Sequence, residues 1–193
     1  LGKLLLKSRL SSPYFHSVRD EFTKKVLAEL GVKNVINTGC PTTWTLDREH
    51  CSKIPNKKGD CVLLTLTDYN TCDKDDQILL DILLKRYCRV FFWPQGLRDL
   101  EQLHKKVGAE KVTLIEPSLR ALDGLLADES MSLDYVGTRL HCGIRAMRFF
   151  RRSIIISIDN RATEISADMN LPTLPRRKIE GELETAIERN FVT

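Results

Sequence analysis

Arg139 and His141 stand two positions apart in the stretch DYVGTRLHCGIRAM, just behind a Gly-Thr pair, where an apolar run gives way to helical spacing. A guanidinium grips carboxylate or phosphate through a planar fork of donors. An imidazole titrates near neutrality and can take or give a proton. A helix mouth adds unpaired N–H groups and positive potential. The combination suits a small anion that undergoes acid–base chemistry. The plainer reading is a capped surface helix with a basic side. Thr138 is the N-cap candidate, which starts the helix at Arg139 and lets Arg139 and His141 meet one ligand only at its mouth. Leu140, Ile144 and Met147 share one helical face and are expected on the sheet, while His141, Arg145 and Arg148 share another. Spacing alone leaves both readings open.

The elements around this pair are those of an α/β protein. From Asp60 onward, apolar runs alternate with helix-period stretches: CVLLTLT, RVFFW, VTLIEP, LDYVGT and SIIISID each precede a helical segment. Strands that are apolar throughout belong to a parallel sheet covered on both faces. The alternation predicts βαβ units in a doubly wound parallel sheet. The opening stretch YFHSVRDEFTKKVLAELGVKNVINTG reads as strand, helix and strand, with Gly31 as the helix stop. After it, CPTTWTLDREHCSKIPNKKGD is long, polar and aperiodic, and reads as a connector. The expected division is residues 1–46 as the tail of a first α/β domain, 47–59 as linker, and 60–193 as a Rossmann-like second domain. Because residue 1 is Leu, the chain reads as trimmed, with the N-terminal part of its first domain missing. The segment KIEGELETAIERNF reads as a closing amphipathic helix after a turn-forming LPTLPRR.

Ligands of open parallel sheets sit beyond the carboxyl ends of the strands, which selects residues 67–70, 94–96, 116–118, 137–141 and 159–161. Asp159 ends a strand and is either a helix cap or a ligand contact. Arg19 and Asp20 follow the strand of the opening segment. Asp20 reads as a cap, and Arg19 as either a solvated or paired cation or an arginine facing an interdomain cleft. No G-x-G-x-x-G follows a strand, and no P-loop or G-x-S-x-G elbow occurs. Asp73, Asp75 and Asp76 lack calcium-loop spacing. The six cysteines contain no C-x-x-C pair, so they are expected as reduced structural thiols of a cytosolic protein, and no metal set is expected.

The 193 residues, 42% hydrophobic and 29% charged with a formal net charge of +4, describe an ordinary globular chain. The charge gives no reason to expect nucleic acid as a partner, and no apolar run is long enough to span a bilayer.

Three stretches, VRDEFTKKVLAELGVKNVINTGCPTTWTL, FFWPQGLRDLEQL and YVGTRLHCGIRAMRFFRRSIIISIDNRATEI, together resemble the polysaccharide pyruvyl transferase family over about residues 18–172. The resemblance implies a two-domain fold like that of GT-B glycosyltransferases, and a cytoplasmic transferase that moves pyruvate from phosphoenolpyruvate onto a sugar diol of a cell-surface polysaccharide or its precursor. Phosphoenolpyruvate would be a donor substrate, with no cofactor required. Arg139, Leu140 and His141 match the family's donor-binding element, and Arg19 matches its arginine from the first domain. Asp159 follows as a further substrate-binding candidate, with His141 and Arg139 as the catalytic pair. The acceptor would be a saccharide, free or lipid-linked, with peripheral membrane association and homo-oligomerisation both compatible. Cys40-Pro41 departs from the acid-proline pair of many relatives. Two other expectations compete: a nucleotide-sugar-dependent GT-B glycosyltransferase holding a ribose on Glu116 or Asp159, and an inactive, truncated binding domain.

Overall fold

In the computed structural model, which describes residues 2–10 and 13–190, the opening segment forms α1 (Gly2–Leu10), β1 (His16–Val18), α2 (Glu21–Glu29) and β2 (Val35–Asn37). The two strands pair in parallel, His16 opposite Val35. Asp20 starts α2 by accepting the Thr23 N–H at 2.7 Å. Gly31 ends it at a φ of 82°, a left-handed conformation that costs glycine little. Leu27, Val32 and Val35 make a small core for this unit.

The stretch after β2, read as a connector with its linker at 47–59, carries short elements of its own. It contains a 3-10 turn at Pro41–Thr43 and then α3 (Arg48–Ser52), which Asp47 caps by accepting the His50 N–H at 2.8 Å. The His50 ring stacks on Phe150 at a centroid distance of 4.2 Å, and its Nε2 lies 2.9 Å from the Met147 carbonyl oxygen. A helix of five residues is too short to show a period, which is why the sequence hid it.

The remaining elements are β3 (Cys61–Thr65), α4 (Asp73–Arg86), β4 (Arg89–Phe92), α5 (Leu97–His104), β5 (Thr113–Leu114), α6 (Leu119–Ala127), β6 (Leu133–Gly137), α7 (Leu140–Arg148), β7 (Ser153–Ser157), α8 (Asn160–Met169), β8 (Thr173–Pro175) and α9 (Ile179–Glu188). The strands pair all-parallel in the order β5-β4-β3-β6-β7-β8, so the chain is a doubly wound α/β protein. Strand residues alternate between the two faces. Leu63, Tyr135 and Ile155 join one core with Leu122, Leu126 and Ile144 of α6 and α7. Val62, Leu64, Val136 and Ile156 join the other with Leu79, Leu83, Leu183 and Ile187 of α4 and α9. β8 lies within the expected turn. Its proline, Pro175, is tolerated because β8 is an edge strand, where a missing N–H breaks no ladder.

One polar network runs through the sheet. Arg152, only 1% exposed, donates to Asp134 at 2.8 Å and to the carbonyls of Ala186, Ile187 and Arg189 at 2.7–3.0 Å, closing the end of α9. The Tyr87 hydroxyl donates to the same Asp134 carboxylate at 2.8 Å.

The strand pair that carries Arg139 depends on a missing side chain. A Cβ on Gly137 would lie 2.5 Å from Thr65 Oγ1 and 2.7 Å from the Thr65 backbone nitrogen and oxygen. Gly137→Ala should therefore pry β6 from β3 and cost about 1–3 kcal/mol. The urea midpoint would read this, and an unchanged midpoint would refute it.

Candidate functional site

From β3 the chain winds outward through β4 and β5, and from β6 it winds the other way through β7 and β8. The turning point between β3 and β6 opens a crevice at the carboxyl ends of the strands. A cleft of about 190 Å³ lies there, lined by Tyr69, Gln95, Arg139, His141, Asp159 and Arg161.

Arg139 occupies the N-cap position of α7 with a φ of −90°. Thr138, the expected cap, is buried and turned to β3, its N–H 2.9 Å from the Thr65 carbonyl oxygen. Cross-strand pairing has outcompeted capping. The Arg139 guanidinium lies 2.5 Å from Asp99 Oδ1, 3.4 Å from Asp68 Oδ1 and 5.6 Å from the centroid of the Tyr69 ring. Asp99 is 1% exposed, and its second oxygen accepts the Gln95 N–H at 2.9 Å. It thus ties the loop between β4 and α5 to Arg139. The Leu140 side chain is buried in the core beneath α7, so that residue meets the cleft only at its edge.

His141 keeps access to solvent. Its Nε2 is 3.8 Å from Cys40 Sγ, and the same sulfur lies 3.1 Å from Thr42 Oγ1. Partial burial first, and then the charges of Arg161 and Arg19, hold the imidazole below the ordinary histidine value of 6.5. Arg19, from the end of β1, pairs with Asp20 at 3.3 Å and remains partly exposed. The fold therefore sets His141 against Cys40 of the opening segment and within the field of Arg19 and Arg161.

Asp159 caps α8, accepting the Ala162 N–H at 3.2 Å, and accepts from Arg161 Nε and Nη2 at 3.0 and 2.6 Å. Burial works to raise its pKa, and the Arg161 donors with the Ala162 N–H outweigh it, so the carboxyl titrates below its usual range. Arg161 also donates to the Tyr69 hydroxyl at 2.6 Å, and its guanidinium lies 5.5 Å from the centroid of that ring. Glu116 is absent from the lining of the cleft.

Sequence reasoning missed Asp99, Tyr69, Arg161 and Cys40 as individual residues of the site. Tyr69 and Arg161 fall inside the strand-end windows that topology selects, which was the available signal. Asp99 and Cys40 lie in stretches that carry the family resemblance, but neither residue's contact could be read from spacing, because a buried helical acid and a thiol acquire their roles only through distant partners.

All six cysteines are free, Cys40 and Cys142 buried. Among the described residues no cluster of His, Cys, Asp and Glu could hold a metal ion, and no helix is long and apolar enough to cross a membrane.

The sheet and its cleft define a doubly wound α/β protein. Among solved structures, the chain resembles the UDP-GlcNAc 2-epimerase of Methanocaldococcus jannaschii, crystallised with UDP-GlcNAc and UDP, with a TM-score of 0.56 at 11% identity. The match covers 91% of this chain and 55% of that one, and it is a likeness of fold. The sequence model for polysaccharide pyruvyl transferases matches residues 1–160. The chain belongs to the polysaccharide pyruvyl transferase family. A search of curated proteins finds no match.

Proposed function

We propose that the chain transfers pyruvate from phosphoenolpyruvate to a sugar diol of a polysaccharide or its precursor, and that the cleft between β3 and β6 takes the donor. The observation that carries the reading is the meeting of Arg139, Arg161 and His141 in one cleft, where burial and the charges of Arg161 and Arg19 hold the imidazole pKa below its ordinary value. Phosphoenolpyruvate presents a carboxylate and a phosphate, and guanidinium groups bind both. Arg139 gains the donor by exchanging its longer, more exposed contact to Asp68 while Asp99 keeps it oriented.

His141 accepts the proton of the first sugar hydroxyl as its oxygen bonds to C2 of the donor, and passes that proton to C3, which becomes a methyl group. The second hydroxyl then displaces phosphate from C2, and its proton leaves with the phosphate. The products are a cyclic pyruvyl ketal and inorganic phosphate. Arg139 holds the donor anion, and its charge, with those of Arg161 beside it and Arg19 beyond the cleft, stabilises the departing phosphate. No step requires a metal or a cofactor. A cytoplasmic site with access to lipid-linked saccharide at the membrane surface suits this donor and acceptor.

A nucleotide-sugar transferase is the second reading, favoured by the likeness of fold to an enzyme crystallised with UDP-GlcNAc. Asp159, already holding Arg161, would then face the ribose. Titration calorimetry with phosphoenolpyruvate, and in parallel with a UDP-sugar, on the wild type and Arg139→Ala separates the two. Binding of phosphoenolpyruvate, lost in the variant, is expected. Binding of the UDP-sugar alone would replace the proposal with the second reading, and binding of neither would leave a non-catalytic domain.

A further inference from the structure

The polar face of α7 does more than border the donor cleft. His141, Arg145 and Arg148 line a second pocket of about 160 Å³, on whose other walls stand Trp93, Leu119 and Leu122. Gln95 and His141 line both cavities, so the imidazole stands on the partition between them. We infer that the second pocket is the acceptor subsite, and that it selects a saccharide carrying one anionic group. This inference rests on the pyruvyl-transfer reading, which leaves the acceptor without a place.

Size argues for one sugar ring. Pockets for drug-sized ligands run to roughly 300–1,000 Å³, well above this volume. The lining fits a pyranose. Trp93 and Leu122 supply a buried apolar base, and Leu119 extends it with a side that is 58% exposed, against which the C–H face of a ring can pack. Thr42 and Gln95 supply hydroxyl and amide groups for the ring hydroxyls. His141 at the partition sits where the diol must meet the donor.

Charge argues for the anion. Arg145 is neutralised, donating to both oxygens of Asp123 at 2.6 Å. Arg148 is exposed, and among the described residues no carboxylate forms an ion pair with it, although Asp123 feels its field. Two guanidinium groups face one carboxylate, leaving one positive charge for the ligand. His141 and Arg148 are seven residues apart on α7, about 10 Å along the axis. Both side chains lean toward the helix N-terminus, and the longer arginine reaches further back along it, so both line the one pocket. Reactive hydroxyls at His141 and an acidic group at Arg148 are therefore compatible in one bound sugar.

Binding of glucose, glucose 1-phosphate, glucuronate and inorganic phosphate to the whole chain tests the inference, with phosphoenolpyruvate titrated alongside, on the wild type and on Arg148→Gln and Leu119→Gln. Glucose 1-phosphate and glucuronate should each bind at least about tenfold more tightly than glucose, the usual return of one charge-assisted contact. Arg148→Gln should erase that advantage and leave glucose and phosphoenolpyruvate unaffected. Leu119→Gln should weaken all three sugars together. Equal affinities for glucose and its anionic relatives would overturn the inference, as would an advantage that survives Arg148→Gln. Inorganic phosphate matching glucose 1-phosphate would overturn it too, by showing a bare anion site. Phosphoenolpyruvate failing to bind while the acidic sugars bind as expected would sink the donor proposal and leave this pocket standing.

Discussion

His141→Ala should lower kcat of pyruvyl transfer by roughly 10²–10⁴-fold, the usual worth of a positioned acid–base group, while leaving the affinity for phosphoenolpyruvate intact. The split follows from the geometry, since the arginines hold the donor and the imidazole moves the proton. The pH profile should carry the same signature. Burial and the charges of Arg161 and Arg19 depress the imidazole pKa below 6.5, so the neutral base persists into mildly acidic solution. The acid limb of kcat/KM should therefore fall below that value. Arg161→Gln removes one of the depressing charges and should move the limb upward, toward 6.5. Folding stability follows the same sign. The unfolded chain takes up this proton at higher pH than the folded one, so the histidine costs stability as pH falls through 6.5. An acid limb indifferent to Arg161→Gln would remove His141 from the role of base.

Arg152→Met should be the most destabilising of the single changes proposed. The guanidinium is the counter-ion of a buried carboxylate and the donor that closes α9. Removing one partner of a buried ion pair costs roughly 3–5 kcal/mol, because the remaining charge is stranded. Against a total of roughly 5–15 kcal/mol for a typical domain, that approaches unfolding. The double change Arg152→Met with Asp134→Leu should recover a large part of the loss, since an apolar pair of similar volume strands no charge. Urea denaturation of the wild type and the two variants decides the matter, and a double variant no better than the single would show that the loss comes from unpaired hydrogen-bonding groups, such as the α9 carbonyls and the Tyr87 hydroxyl, rather than from a stranded charge.

The sheet was legible because parallel strands buried on both faces advertise themselves as apolar runs, and CVLLT, LDYVG and SIIIS became β3, β6 and β7. β8 was not, because Pro172 before it and Pro175 within it carry turn signals that only an edge position excuses. At the site, Arg139, His141 and Asp159 could be reached from topology, since each follows a strand end. Asp99 could not. Its role depends on the β4–α5 loop folding back so that one carboxylate serves both Gln95 and Arg139, 40 residues away. Cys40 is a stronger case, meeting His141 across 101 residues. Contacts of that range leave no spacing to read.

The chain has two tryptophans, and the fold has put them to different uses. Trp44 is 63% exposed, while Trp93 lies buried against the second pocket with its indole N–H 3.1 Å from the Ser118 carbonyl oxygen. Replacing Trp44 by phenylalanine would leave a single indole, beside His141's second cavity. The protein thus carries an intrinsic fluorophore where a sugar would settle, and occupancy could be followed by light without attaching a dye.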